Sequence, residues 1–155
     1  MSTCFRICPA RYARDLSGEG ARLSGGRWNA KNTPLIYASE NRSLAALEYL
    51  IHVSLSNMPP KIAIISLHVP DSIVPRQLDA QRLPKDWRMS PAPYALAKMG
   101  TAWANAKESL LFRVPSAVVP DECNILINPL HPDVKFLRIA DIQDFTYDER
   151  LLKRT

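Results

Sequence analysis

The alternation of apolar and polar positions divides the chain into short extended segments separated by turn residues, with two stretches of helical period. Lys61–Val69 carries the clearest two-residue period, with Ala63, Ile65, Leu67 and Val69 on one face and Ile62, Ile64, Ser66 and His68 on the other. Shorter strands are expected at Cys4–Cys8, Leu35–Ala38, Leu110–Val114, Asn124–Ile127 and Phe136–Ile139. Asn41 or Ser43 can cap a helix reaching to about Val53, on which Leu44, Leu47, Ile51 and Leu55 recur at helical spacing before Pro59-Pro60. A second helix is expected from Pro91 to Ala106, with Ala95, Leu96, Met99 and Trp103 as its core stripe. Residues 9–26 read as a long loop, and residues 70–91 as a connection with a helical turn near Leu78–Leu83. The sum is an α+β chain, expected as one domain over residues 1–155.

Composition sharpens this picture. Thirteen prolines and five glycines invert the usual ratio and argue for many turns and against a helical bundle. No apolar run approaches a membrane span, and Arg6, Arg11 and Arg14 follow a start without an apolar signal core, so a cytoplasmic protein without membrane attachment is expected. Cys4, Cys8 and Cys123 form neither an even disulfide set nor a metal pair, and His52, His68 and His131 stand apart. Reduced thiols and no metal are the expectation.

The net charge of +5 is unevenly placed. Residues 1–31 hold six cations against two anions, and the remainder holds fourteen against thirteen. The basic stretch also contains Gly18, Gly20, Gly25 and Gly26. Glycines admit close backbone approach and arginine forks match phosphate or carboxylate oxygens, so an anion-binding loop is one reading and a solvated loop the other. Without interleaved aromatics, a nucleic-acid surface is the weaker reading.

On the first helix Glu48 lies within about 20° of the apolar stripe. An inward carboxylate needs a partner, either a structural arginine or a ligand. Gly25-Gly26-Arg27-Trp28-Asn29 leads into the Tyr37 strand, so Arg27, Tyr37 and Glu48 can converge. Ser116, Asn124 and Asn128 are polar positions within apolar runs that either bond turns or line a pocket.

Taken together, Arg6, Gly25 to Asn29, Tyr37-Ala38-Ser39, Ser43 to Glu48 with His52 one turn on, Val114-Pro115-Ser116 and Asn124 to Pro129 followed by His131-Pro132 resemble the RES family, the toxin half of bacterial Xre–RES toxin–antitoxin pairs. The family's arginine, glutamate and serine match Arg27, Glu48 and Ser116. The resemblance implies a split mixed β-sheet similar to that of ADP-ribosyltransferases, with NAD as substrate and no cofactor. It implies Arg27, Glu48, Tyr37 and Ser116 as catalytic residues, and Arg6, Gly26, Arg27, Trp28, Asn29, Tyr37 and Asn124 as NAD contacts, with the nicotinamide stacked on Tyr37 or Trp28.

The partners implied are an Xre-like antitoxin that occludes the site and a second copy of the chain, with DNA reached only through the antitoxin. Cleavage of the nicotinamide–ribose bond passes through an oxocarbenium-like ribose that one carboxylate can stabilise, and nicotinamide leaves neutral, so no second acid is needed. Ala46, two residues before Glu48, stands where arginine-modifying transferases carry a second glutamate, and no Ser-Thr-Ser strand occurs. Water or phosphate is therefore the expected acceptor, protein ADP-ribosylation is the enzymatic alternative, and a non-enzymatic nucleotide- or RNA-binding module is the alternative of a different class.

Overall fold

The computed structural model describes residues 2–153. Seven strands form one sheet: β1 (Ser2–Pro9), β2 (Ile36–Ser39), β3 (Ile62–Val69), β4 (Arg76–Gln77), β5 (Leu111–Pro115), β6 (Cys123–Ile127) and β7 (Arg138–Phe145). Their order is β4-β5-β6-β2-β1-β3-β7, with β4–β5 parallel and the other pairs antiparallel. Among the described residues four helices accompany them: α1 (Glu19–Ser24), α2 (Arg42–His52), α3 (Tyr94–Ala106) and α4 (Glu149–Leu152). The architecture is α+β with a mixed sheet, as expected.

The sheet is split by its own pairing. β1 and β3 are in register from Ser2↔Val69 to Pro9↔Ile62, and β2 and β6 from Ile36↔Ile127 to Ser39↔Asn124, but β1 and β2 meet only at Phe5↔Ser39. Strand alternation then assigns the core. One face is a continuous apolar layer across the seam, including Cys4, Cys8, Ile36, Ala38, Ile65, Leu67, Leu111 and Ile127. On the other face the apolar residues separate into two clusters. One gathers Phe5, Ile7, Ile62, Ile64 and Tyr147 beneath Ala45 of α2, and the other gathers Trp28, Leu35, Trp87, Leu96, Trp103 and Phe112 beneath α3. Between them lies a cavity of about 390 Å³.

Several expectations are corrected by tertiary context. The loop expected at residues 9–26 contains a 3-10 turn at Ala10–Tyr12 and the short helix α1. No residue of α1 is buried, so it has no hydrophobic period to read, and Gly18 and Gly25, both at positive φ, delimit it. The second helix begins at Tyr94 with Pro93 as N-cap, later than Pro91, and Ala95 is exposed while Leu96, Ala97, Gly100, Trp103 and Ala104 are buried.

The strand expected at Phe136–Ile139 is displaced. Pro132–Phe136 is a 3-10 turn, and β7 runs on to Phe145 with a register shift opposite Ser66 and Leu67 that breaks its two-residue period. Among the described residues α4 and the two-residue β4 are additional elements, too short for a periodic signal.

The largest correction concerns α2. Asn41 is its cap, with Oδ1 accepting from the Leu44 N–H at 2.8 Å. The expected stripe, however, is not its buried face: Leu47, Ile51 and Leu55 are 39, 58 and 49% exposed. Leu44 and Ala45 are buried, and Ala46, Tyr49 and Leu50 pack partly against Phe5, Ile7 and Ile64, where the Tyr147 hydroxyl also donates to the Ala46 carbonyl. Glu48 still turns inward, because it shares the face of Ala45 and Tyr49.

Candidate active site

The cavity lies over the seam and is walled by Phe5 and Ile7 of β1, Tyr37 and Ser39 of β2, Glu48, Tyr49 and His52 of α2, Asn124 of β6, and the Gly25–Trp28 segment.

Gly25–Asn29 is held from beneath. Gly26 N–H donates to the Asn29 carbonyl at 2.9 Å, and a Cβ on Gly26 would come within 2.7 Å of the Tyr37 hydroxyl, so glycine is required there. Asn29 is 2% exposed, and its Nδ2 donates to the carbonyls of Ala21 and Thr33. The Tyr37 hydroxyl donates to Asn29 Oδ1 at 2.6 Å and accepts from the Trp28 N–H at 3.0 Å. Burial keeps that phenol neutral, well above its ordinary range, against the opposing effects of its hydrogen bonds and of Arg27.

Arg27 emerges from this loop and donates to the carbonyls of Trp87 (2.7 Å) and Met89 (3.1 Å), which fastens the Pro84–Ser90 segment beside the cavity and occupies two of the five guanidinium donors. Burial lowers its pKa and the Glu48 charge opposes this, so the guanidinium stays protonated.

Glu48 is the most constrained group. Its Oε1 accepts from the Ser116 hydroxyl and from Asn124 Nδ2, each at 2.7 Å, while Oε2 lies 3.8 Å from His52 Nε2. Ser116 is itself fixed, accepting from the N–H groups of Val118 and Val119, and Asn124 Oδ1 accepts from the Ser39 hydroxyl at 2.7 Å. Burial works to raise the carboxyl pKa, but His52, Asn124 and Ser116 more than offset it, and the group lies below its ordinary range. It is ionised at neutral pH, with Oε1 anchored and Oε2 available to a ligand.

The structure thus brings Arg6, Gly26, Arg27, Trp28, Tyr37, Glu48 and Asn124 to one cavity. Four of the expected site residues take different places. Asn29 is a buried support of the loop and does not line the cavity. Ser116 is fully buried and bears on the cavity only through Glu48. Trp28 is 2% exposed, with its ring packed in the cluster beneath α3, which leaves Tyr37 as the aromatic of the two that is open to stacking.

Arg6 borders the cavity, but alternation puts its side chain on the Cys4–Cys8 face of β1, where Nη1 donates to the Asp15 carbonyl at 2.8 Å. Asn128 bonds Ala104 and Leu130 and is structural. Sequence reasoning gave no place to the carbonyls of Trp87 and Met89, because a backbone acceptor has no residue signature. It also missed the ion pair of Glu40 with Arg113 at the head of α2.

Among the described residues no three His, Cys, Asp or Glu side chains are grouped to hold a metal ion, and no helix is long and apolar enough to cross a membrane.

The RES domain model matches residues 3–148. The chain is 36% identical over 144 residues, 92% of its length and 89% of the relative's, to the Prs ADP-ribosylating toxin of Sphingobium sp. (strain YBL2). It is 37% identical over 150 residues, covering 95% of the chain and 97% of the relative, to Toxin Res of Yersinia enterocolitica. In fold it is similar to a chain of the M. tuberculosis MbcT-MbcA toxin-antitoxin complex, with a TM-score of 0.76 and 22% identity over 94% of this chain and 84% of that one. Family match, sequence relatives and fold agree: the chain belongs to the RES domain family.

Proposed function

We propose that the protein cleaves the bond between nicotinamide and ribose in NAD, transfers the ADP-ribosyl group to water or phosphate, and so acts as the toxin of a toxin–antitoxin pair. The observation that carries this reading is the singly anchored Glu48. Its Oε1 is held by Ser116 and Asn124, leaving Oε2 to face the electron-deficient ribose carbon as the glycosidic bond breaks. A fixed charge that needs no reorganisation stabilises the cation more than the neutral-ribose ground state, which is where rate is gained.

The bonding pair leaves with nicotinamide, which departs neutral. Water then supplies the oxygen at C1 and releases a proton, or phosphate supplies it to give a 1-phosphate. Arg27, with donors beyond the two engaged by Trp87 and Met89, meets the pyrophosphate, and the Tyr37 ring offers a stacking face. The relatives named as toxins and the solved toxin–antitoxin complex support a cognate antitoxin, and in this reading it covers the cavity.

A second reading, transfer to a protein, is favoured by the relative named an ADP-ribosylating toxin. Incubation of the purified protein with NAD, with and without phosphate, distinguishes these outcomes. Release of nicotinamide with free ADP-ribose or its 1-phosphate is expected. Release seen only when an acceptor protein is added and becomes labelled favours the second reading, and unchanged NAD under all conditions overturns both.

A further inference from the structure

The two short hydrogen bonds to Glu48 both fall on Oε1, with only His52 Nε2 near Oε2 at 3.8 Å, and one of the two donors is an amide. An asparagine amide can present either its NH2 or its oxygen in the same place, and the two orientations have opposite consequences beside a carboxylate. Asn124 gives Glu48 a donor at 2.7 Å. Flipped, it would set an oxygen lone pair against a carboxylate oxygen at the same distance. The other end of the amide therefore matters.

Its Oδ1 accepts from the hydroxyl of Ser39, which is 3% exposed and sits directly opposite Asn124 in the β2–β6 register. Ser39 is also the residue that pairs with Phe5 in the one register pair between β1 and β2, so its backbone is held on both sides. The hydroxyl donates to the amide from a strand paired on both edges.

Resting on the NAD-cleavage reading of the same site, we propose that Ser39 is a positioning residue for Glu48, acting through Asn124: it holds the amide so that Nδ2 always faces Oε1 and the ionised carboxylate keeps Oε2 toward the substrate. Ser39 does not touch Glu48. Removing its hydroxyl takes away the donor that Asn124 Oδ1 has in the strand pair and lets the amide turn, which loosens the carboxylate without removing any group that touches it. The other charged or titratable groups that line the cavity with Glu48 are His52 and Tyr49 on α2, Arg27 on the glycine loop and Tyr37 on β2, and a change at Ser39 removes none of them; the Arg6 side chain lies on the opposite face of β1.

The test is a double-mutant cycle of Ser39→Ala and Asn124→Ala, read as kcat and KM for nicotinamide release, together with carbon-13 NMR titration of the Glu48 carboxyl in the free proteins. Ser39→Ala is expected to lower kcat about tenfold with KM within about twofold, and to move the Glu48 midpoint upward. In the Asn124→Ala background it should add less than about twofold, because its route to Glu48 is already cut. Ser39→Cys, close in shape and a weak donor, should fall between, and it supplies the same readings if the alanine variant does not fold. Full kcat with an unmoved midpoint, or losses that simply add, overturns the proposal. If the unaltered protein releases no nicotinamide, the NAD reading fails by itself, and the NMR midpoint alone then decides for or against Ser39.

Discussion

At the scale of single residues the chemistry concentrates on the asymmetry of one carboxylate. Glu48 has its pKa lowered in the folded protein, so it contributes stability above its ordinary value that is lost as pH falls through the folded value. Activity that needs the anion should persist on acidification past the ordinary glutamate range, and fail only below it. Glu48→Gln keeps the acceptor for Ser116 and Asn124 on one side of the amide but removes the charge. It should bind NAD with little change and lose about 100-fold or more in nicotinamide release. A variant at near wild-type rate, measured alongside its thermal unfolding, would place the charge outside the reaction. Tyr37 illustrates the reverse case, since its hydroxyl is spent on Asn29 and Trp28 and belongs to the loop's construction, while only its ring is left for a ligand.

At the scale of elements the site depends on how closely α3 approaches the glycine loop. A Cβ at Gly100 would sit 1.7 Å from the Trp28 carbonyl oxygen, far inside contact distance. Gly100→Ala gains roughly 1 kcal/mol in helix propensity, yet the backbone clash should outweigh it and leave a net destabilisation of about 1–3 kcal/mol, read by denaturant unfolding. A stabilised Gly100→Ala would mean that the helix can retreat freely. The elements also show what residue patterns can and cannot convey. β3 was legible because both of its faces follow the two-residue period and both are buried. The inward turn of Glu48 was read from its closeness to the Leu44, Leu47, Ile51 and Leu55 stripe, whereas the face it shares in the structure is that of Ala45 and Tyr49. Leu47 and Ile51 of α2 point outward while Leu44 of the same stripe is buried, and hydrophobic period cannot distinguish a core position from an exposed one. The glycine loop announced itself by composition, whereas its fastening to Trp87 and Met89 runs through carbonyls some sixty positions away and left no trace.

At the scale of the whole molecule, the continuous apolar layer on one face and the divided clusters on the other give the sheet unequal backing. A molecule in the cavity touches both halves at once: Glu48 and His52 belong to the half under α2, Arg27 and Tyr37 to the half beside the glycine loop. Hydrogen–deuterium exchange of the Glu48→Gln protein should therefore show slower exchange in both β1 and β2 when NAD is added, beyond the residues lining the cavity. Protection confined to one of the two strands would show that the halves respond independently.

The single Phe5↔Ser39 pairing makes the sheet behave like a plate scored along one line on one side only. Such a plate yields first by folding along the score, toward or away from the unbroken layer. Any rotation of whole strands about that line would change the width of the gap between α2 and the glycine loop, and with it the reach from Glu48 to Arg27, without a lid.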